Sequence, residues 1–242
     1  MFIGFSKEAF DFMNCIRLSG SKEWFEEHKK IYLDCVFHPM KELSGEVFEP
    51  FKDIKGMMCR ACRIYSDPNF PPYRSYRDKM WIIMKHETYD WSKTPSLFFE
   101  LSAEGAVFGL KLTHPAAAVM EKFRQRTVTD GGEFIKLAES LESSGYTIGG
   151  DEYKRPKPCD NASAERFFKK KSLVITRSVP LGDELLYSPK LAEAVIETFK
   201  KLLPINEMFE EFVSQALKEK AESKAAAYEP ELPKAPTADF MW

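Results

Sequence analysis

The sequence predicts an α+β fold, with one antiparallel meander sheet of about four to five strands and with helices from the N-terminal and C-terminal thirds packed on it. Apolar residues follow the 3.6-residue helical period through the first 54 residues and again after residue 116. Between these regions, short apolar segments follow one another with turn residues between them. Consecutive strands with helices grouped before and after them favour an antiparallel sheet over alternating βαβ units.

Three helices are predicted in the first 54 residues. Ser6 is placed to cap the first helix, and Gly20 ends it. Ser21 is placed to cap the second helix, and the third follows Pro39. The N-terminal third is therefore predicted to be helical.

Five strands are predicted, at residues 57–65, 80–86, 97–102, 106–112 and 173–179. Glu104 and Gly105 suit a tight hairpin turn between the third and fourth strands. Later helices are predicted at residues 116–126, 133–141, 189–202 and 207–221. These elements form one predicted domain, residues 1–221.

Residues 222–242 are predicted to be a Pro-containing C-terminal tail. An extended spacer at residues 228–236 precedes three large apolar residues, Phe240, Met241 and Trp242. Burial of such side chains is favourable, so we expect them to anchor the tail on this domain or on a second subunit. A homodimer joined through the tail is one form of this hypothesis.

Charge and cysteine content limit the class of protein. The 242 residues include 35 basic and 37 acidic side chains, for a net charge of −2, which argues against a nucleic-acid partner. The apolar runs are far shorter than the roughly 20 residues that span a bilayer, so we expect no membrane association. Five cysteines at irregular spacing form no disulfide framework. With no secretory signal at the N-terminus, we expect a cytoplasmic protein.

Common catalytic and cofactor motifs are absent from the sequence, including the Gly-x-Ser-x-Gly elbow, the phosphate-binding loop, the dinucleotide glycine motif and His-Glu-x-x-His. We therefore predict no cofactor. Cys59 and Cys62 have the spacing of a metal knuckle, but alternation on a strand would place them on opposite faces. We expect both to be reduced and without metal.

The densest group of polar residues lies at residues 60–78. Arg63 and Tyr65 would share one strand face, and the following loop would bring Asp67, Arg74 and Arg77 over the end of that strand. Guanidinium groups bind phosphate or carboxylate bidentately, and tyrosine rings can stack on a ligand. These residues are candidate ligand contacts. The structural alternative is that Arg63 and Asp67 pair with each other and fix the loop.

A second basic segment contains Lys154 and Arg155, which precede Pro156. Residues 151–180 carry eight basic and four acidic side chains, as do residues 55–93, in a chain that is nearly neutral overall. A proline-restricted loop could hold Lys154 and Arg155 toward a ligand. We therefore expect the two basic segments to face one common anion.

The ordered motifs of the chain resemble a family of mostly bacterial conserved hypothetical proteins, the domain of unknown function DUF2461. The resemblance extends from about residue 5 to residue 212. Its main segments are Glu23-Trp24-Phe25, Arg63-Ile64-Tyr65-Ser66-Asp67-Pro68-Asn69-Phe70, Tyr76-Arg77-Asp78-Lys79-Met80-Trp81, Phe99-Glu100-Leu101 and Lys154-Arg155-Pro156. The resemblance implies no particular reaction, substrate or cofactor.

From the residues, the leading hypothesis is a domain that binds a small anionic ligand bearing phosphate or carboxylate. If the protein is an enzyme, it would be a hydrolase or transferase with Asp67 as general base and with arginines that stabilise developing negative charge. The alternative hypothesis is a non-enzymatic interaction protein whose aromatic tail docks to a partner or to a second subunit. The sequence leaves open whether the protein is an enzyme.

Overall fold

A computed structural model describes residues 1–67, 69, 73–87, 92–130, 132–155 and 157–226. Helices α1–α7 span Lys7–Ser19, Lys22–Ile31, His38–Phe48, Ala117–Thr129, Glu133–Ser143, Ala162–Phe168 and Lys190–Ala226. Strands β1–β6 span Met57–Ala61, Met80–His86, Ser96–Ser102, Gly105–Leu112, Thr147–Gly149 and Leu173–Pro180. The α+β class is confirmed.

The described strands form one antiparallel sheet of six strands in the order β1-β2-β3-β4-β6-β5. The sequence predicted four to five strands and missed β5. This strand has only three residues, Thr147–Gly149, and depends on pairing with β6 rather than on a pattern of its own. Strands β3 and β4 form the predicted hairpin, with Ala103 and Glu104 rather than Glu104 and Gly105 as the loop residues.

The sheet is covered by helices on one face. Ile82, Phe99 and Phe108 are paired across β2, β3 and β4, and all three are fully buried. Helices α1, α3 and α7 contact strands β1–β4 from this side. Residues at alternate positions, such as Trp81 and Val107, are only half-buried. We call their side of the sheet the open face, and its residues include Trp81, Ile83, Phe98, Glu100, Val107, Gly109, Lys111, Val174 and Thr176.

Helix α7 corrects the prediction of two C-terminal helices separated near Pro204. The chain is helical without a break from Lys190 to Ala226, with an exposed Pro204 inside the helix. Buried residues on both sides of the proline, including Leu202 and Phe209, hold the helix to the core. The helix also includes residues 222–226, which were predicted to belong to the tail. The remainder of that prediction, residues 227–242, lies outside the described residues.

Two predicted N-terminal caps have different outcomes. The Ser21 side chain accepts a hydrogen bond from the Trp24 N–H at 3.1 Å, as expected of a capping residue. Ser6 precedes α1 but its side chain makes no cap hydrogen bond, so that prediction is wrong. In the part of the chain that the structure covers, no helix is both long enough and apolar enough to span a membrane.

Candidate functional site

Arg77 donates several hydrogen bonds to backbone carbonyl oxygens of the connection between β1 and β2. Its Nη1 donates to the carbonyl oxygen of Arg63 at 2.6 Å and also to that of Tyr65. Its backbone N–H donates to the Ile64 carbonyl at 2.8 Å. The guanidinium group lies 4.8 Å from the centre of the Trp81 ring, on the open face. Arg77 therefore joins the connection to the edge of the open face.

Arg63 and Asp67 form no direct ion pair with each other among the described residues. The Asp67 Oδ1 accepts hydrogen bonds from the backbone N–H of Asn69 at 2.9 Å and from its Nδ2 at 3.0 Å. Both hydrogen bonds are local and occupy one oxygen of the carboxylate. Arg74 lies 3.6 Å from the Asp78 carboxylate. The structure therefore shows no direct Arg63–Asp67 ion pair of the kind considered from the sequence.

Tyr65 packs toward the helices. Its ring meets Phe25 of α2 edge-on at a centroid distance of 5.7 Å, and its backbone forms an isolated bridge with Tyr76. The predicted strand at residues 57–65 ends as a regular strand at Ala61. Tyr65 therefore belongs to the contact between α2 and the β1–β2 connection.

The Lys154–Arg155 loop lies in a different part of the fold from Arg63 and Arg77. It follows β5, which forms one edge of the sheet, whereas β1 forms the opposite edge. Five strand spacings of about 4.8 Å separate these edges. Pro156 is outside the described residues. The prediction of one common site for both basic segments is wrong, because the sheet order separates them.

Arg155 lines a cleft of about 490 Å³ beside the start of α4. Arg124, which is 4% exposed, and Lys157 also line it, and Glu121 bridges them at 3.1 and 2.7 Å. The hydrogen bond from Lys157 is the main cause that lowers the pKa of Glu121. A carboxylate of the protein therefore already neutralises part of the positive charge in this cleft.

A cluster of charged residues that the sequence analysis missed lies on the open face. Lys79 Nζ contacts Glu100 Oε1 at 2.8 Å. Lys111 reaches across from β4, and its Nζ lies 4.6 Å from the centre of the Phe98 ring. Phe98 is buried beneath these side chains. We call Lys79, Glu100 and Lys111 the lysine cluster.

Lys111 differs from Lys79 in its electrostatic environment. Burial lowers the pKa of the Lys111 amine, and the positive charge of Lys79 adds to this effect, while the charge of Glu100 opposes it. The hydrogen bond to Glu100 raises the pKa of Lys79. In the described part of the chain, no carboxylate lies within 4.0 Å of Lys111 Nζ, and the amine makes no hydrogen bond. Lys111 is thus a half-buried amine without an acidic partner there.

The two cysteines of the Cys-x-x-Cys segment have separate surroundings, but Cys62 lies beyond the end of β1 at Ala61, so the two do not occupy opposite faces of one strand as predicted. Cys59 pairs in register with Met84, and its Sγ lies 3.3 Å from Ser44 Oγ of α3. Burial raises the pKa of the Cys59 thiol to about 11. Cys62 follows β1, and its Sγ accepts the Trp81 N–H at 3.0 Å. No group of three potential metal ligands occurs among the described residues.

The missed cluster had a signal in the sequence. Glu100 and Lys111 each interrupt a strand that is otherwise apolar, as Phe-Phe-Glu-Leu and Gly-Leu-Lys-Leu. A charged residue inside an apolar strand must point to the less buried face. Only the pairing register of the strands shows that both side chains lie on the same face of the sheet.

The molecule defined by these observations is an α+β protein with one helix-covered sheet face and a lysine cluster on the other. The chain matches the family described as "Conserved hypothetical protein (DUF2461)" over residues 8–208. The protein belongs to this family, and the resemblance seen in the sequence is confirmed. No match to a curated protein was found.

Proposed function

We propose that the open face binds a small molecule that carries a phosphate or carboxylate group. The observation that supports this proposal is the half-buried amine of Lys111, which has no acidic partner among the described residues. A buried charge without a counter-ion is unfavourable. An anionic ligand would supply the missing partner.

The charges around Lys111 favour an anion. Two lysines of the open face, Lys79 and Lys111, lie on either side of the Phe98–Glu100 segment of β3. On the described strands, Glu100 is the acidic residue of the open face, and it is bonded to Lys79. These three side chains have a net charge of +1 when Lys111 is protonated, whereas the chain as a whole has a net charge of −2.

The proposed activity is binding. Asp67, the general base suggested from the sequence, is engaged by both donors of Asn69. Trp81 offers a half-buried ring beside Glu100 and beneath Arg77. A flat apolar portion of a ligand could pack there while its anionic group contacts the lysines.

A thermal-shift screen over phosphates and carboxylates tests the proposal. A ligand at 100 times its dissociation constant adds about 2.7 kcal/mol to the free energy of unfolding. We expect at least one anion to stabilise the wild-type protein and Lys111→Gln to remove most of that stabilisation. The matched control is Lys136→Gln, which changes an exposed lysine of α5 and should keep the full shift. An unchanged shift in Lys111→Gln would contradict the proposal.

A further inference from the structure

An apolar cleft of about 620 Å³ lies between the C-terminal half of α7 and the start of α4. Val213, Ala216 and Leu217 form its wall on α7, and Ala118 and Val119 form its wall on α4. A second cavity of about 310 Å³ shares Val213 and Leu217 with the first and continues it along α7. We call the two cavities together the α4–α7 cleft.

The α4–α7 cleft presents apolar side chains that the described residues leave uncovered. Leu217 lines both cavities and is 63% exposed. Val213, one helical turn earlier, is partly exposed, and Ala118 on the facing helix is exposed. Apolar surface that is continuous in this way is typical of a contact site for another segment or protein.

A segment with suitable side chains follows α7 directly in the sequence. Residues 227–242 lie outside the described residues, and they include the consecutive large apolar residues Phe240, Met241 and Trp242. Helix α7 extends to Ala226, and Ser223, three residues earlier, lines the cleft. The segment therefore begins beside the cleft.

The chain is long enough to bring residues 240–242 back along α7. Val213 and Ala226 are 13 residues apart in the helix, which corresponds to about 20 Å at a rise of about 1.5 Å per residue. The 13 residues from 227 to 239 can span about 40 Å at about 3.1 Å per residue. This length allows the chain to reverse direction and still reach every part of the cleft.

The charges of the segment and of the cleft are complementary. Residues 227–242 contain three acidic side chains and one basic side chain, a net charge of −2. Lys93 and Lys220 line the cleft, and its acidic residue, Glu219, is bonded to Lys122 at 2.6 Å. Among the described residues, no carboxylate lies within 4.0 Å of the Lys220 amine. Two lysines beside an apolar surface favour an occupant that is both acidic and apolar.

We propose that residues 240–242 dock into the α4–α7 cleft of the same chain, with the acidic spacer beside Lys93 and Lys220. A covalently attached segment is present at an effective concentration in the millimolar range, which favours its own cleft over that of a second copy. The inference goes beyond the proposed function, because no residue that lines the cleft belongs to the open face. The α7 wall and the segment both follow residue 208, where the family match ends.

Site-specific photo-crosslinking of the full chain tests the inference. Phe240 is replaced by p-benzoylphenylalanine, which forms bonds with nearby C–H groups on irradiation, and crosslinked peptides are identified by mass spectrometry. We expect the main crosslinks to join residue 240 to residues 213–223 of α7 or to residues 116–119 at the start of α4. Their yield should not change on tenfold dilution of the protein, because both partners lie in one chain.

Two leucine variants give the matched comparison in the crosslinking experiment. Leu217→Asp places a negative charge in the apolar cleft and should lower the yield of these crosslinks at least fivefold. Leu18→Asp changes an exposed leucine of α1 that does not line the cleft, and it should leave the yield within twofold of the original. Circular dichroism and the melting temperature establish that both variants fold.

A double-mutant cycle measures the same contact without a crosslinker. The combined substitution of Phe240→Ser, Met241→Ser and Trp242→Ser should lower the melting temperature by about 2 °C or more. In the Leu217→Asp background the same substitution should have a smaller effect, because the contact is already lost. Equal effects in the two backgrounds would overturn the inference, as would crosslinks that form mainly between two chains or mainly outside the cleft.

Discussion

Gly109 lies where strand β6 passes very close to β4. A Cβ atom added at this position would lie 1.9 Å from the carbonyl oxygen of Ile175, and the residue has a φ of +157°. Gly109 pairs with Phe98 on one side and with Thr176 on the other, next to the lysine cluster. The absence of a side chain therefore allows the central strands to hold Phe98 and Lys111 in place.

Gly109→Ala should destabilise the protein by about 2 kcal/mol or more, since β4 or β6 must move to remove the overlap. Gly45→Ala is the matched control, because Gly45 lies within α3 and an added Cβ meets no atom within 4 Å. That control should stabilise the protein by up to about 1 kcal/mol through helix propensity. Urea unfolding measures both changes, and equal effects of the two substitutions would contradict the prediction.

Among the elements, helix α7 shows how tertiary packing overrides a local helix breaker. Pro204 has no N–H for the carbonyl oxygen four residues earlier, so the sequence predicts a break there. Phe199, Leu202 and Phe209 nevertheless bury one side of the helix on both sides of Pro204. Burial of several large side chains stabilises more than one lost hydrogen bond destabilises.

Pro204→Ala should raise the free energy of unfolding by about 1–3 kcal/mol, because the exposed alanine restores the helical hydrogen bond and removes the clash of the ring. Glu207→Ala, at another exposed position of α7, should change it by less than about 0.5 kcal/mol. Chemical denaturation provides the measurement. Destabilisation by Pro204→Ala would mean that α7 needs a proline-induced bend.

The sequence predicted the elements better than it predicted the site. Strands β2, β3, β4 and β6 each have seven or eight residues and a clear apolar pattern, and all were predicted. The lysine cluster was missed because it depends on the register between β2, β3 and β4, which no single segment encodes. The Lys154–Arg155 loop was predicted to lie beside Arg63 and Arg77 because both segments are basic. The order of the strands in the sheet, which charge does not determine, places β5 and β1 at opposite edges.

At the scale of the whole molecule, the helical layer and the β1–β2 connection are joined at Tyr32. Its hydroxyl oxygen accepts the Ile64 N–H at 3.3 Å, and the side chain is 4% exposed. Burial raises the pKa of Tyr32 to about 12 from an ordinary value of 10.0. The folded state thus holds this proton more tightly than the unfolded state does.

Below pH 10, Tyr32 should be protonated in both states and contribute fully to the free energy of unfolding. As the pH rises from 10 to 12, this contribution should decline by at most about 1.4 kcal/mol per pH unit. Tyr32→Phe should remove this decline, whereas Tyr73→Phe, at an exposed tyrosine, should keep it. Urea unfolding at several pH values compares the slopes. The slope of each variant is compared with that of the wild type, because other groups also make stability depend on pH in this range. The raised pKa of Cys59 lowers the free energy of unfolding as the pH rises, and the lowered pKa of Lys111 has the opposite effect. Identical slopes in Tyr32→Phe and the wild type would refute the assignment.

The one-sided coverage of the sheet also affects how the protein can change in evolution. Neighbouring residues along β3 and β4 point alternately to the helices and to the open face, so Phe99 packs in the core while Phe98 and Glu100 do not face the helices. Substitutions that alter the open face therefore need no compensating change in the helical layer. Relatives with this architecture can diversify their surface chemistry one residue at a time while they inherit the same interior.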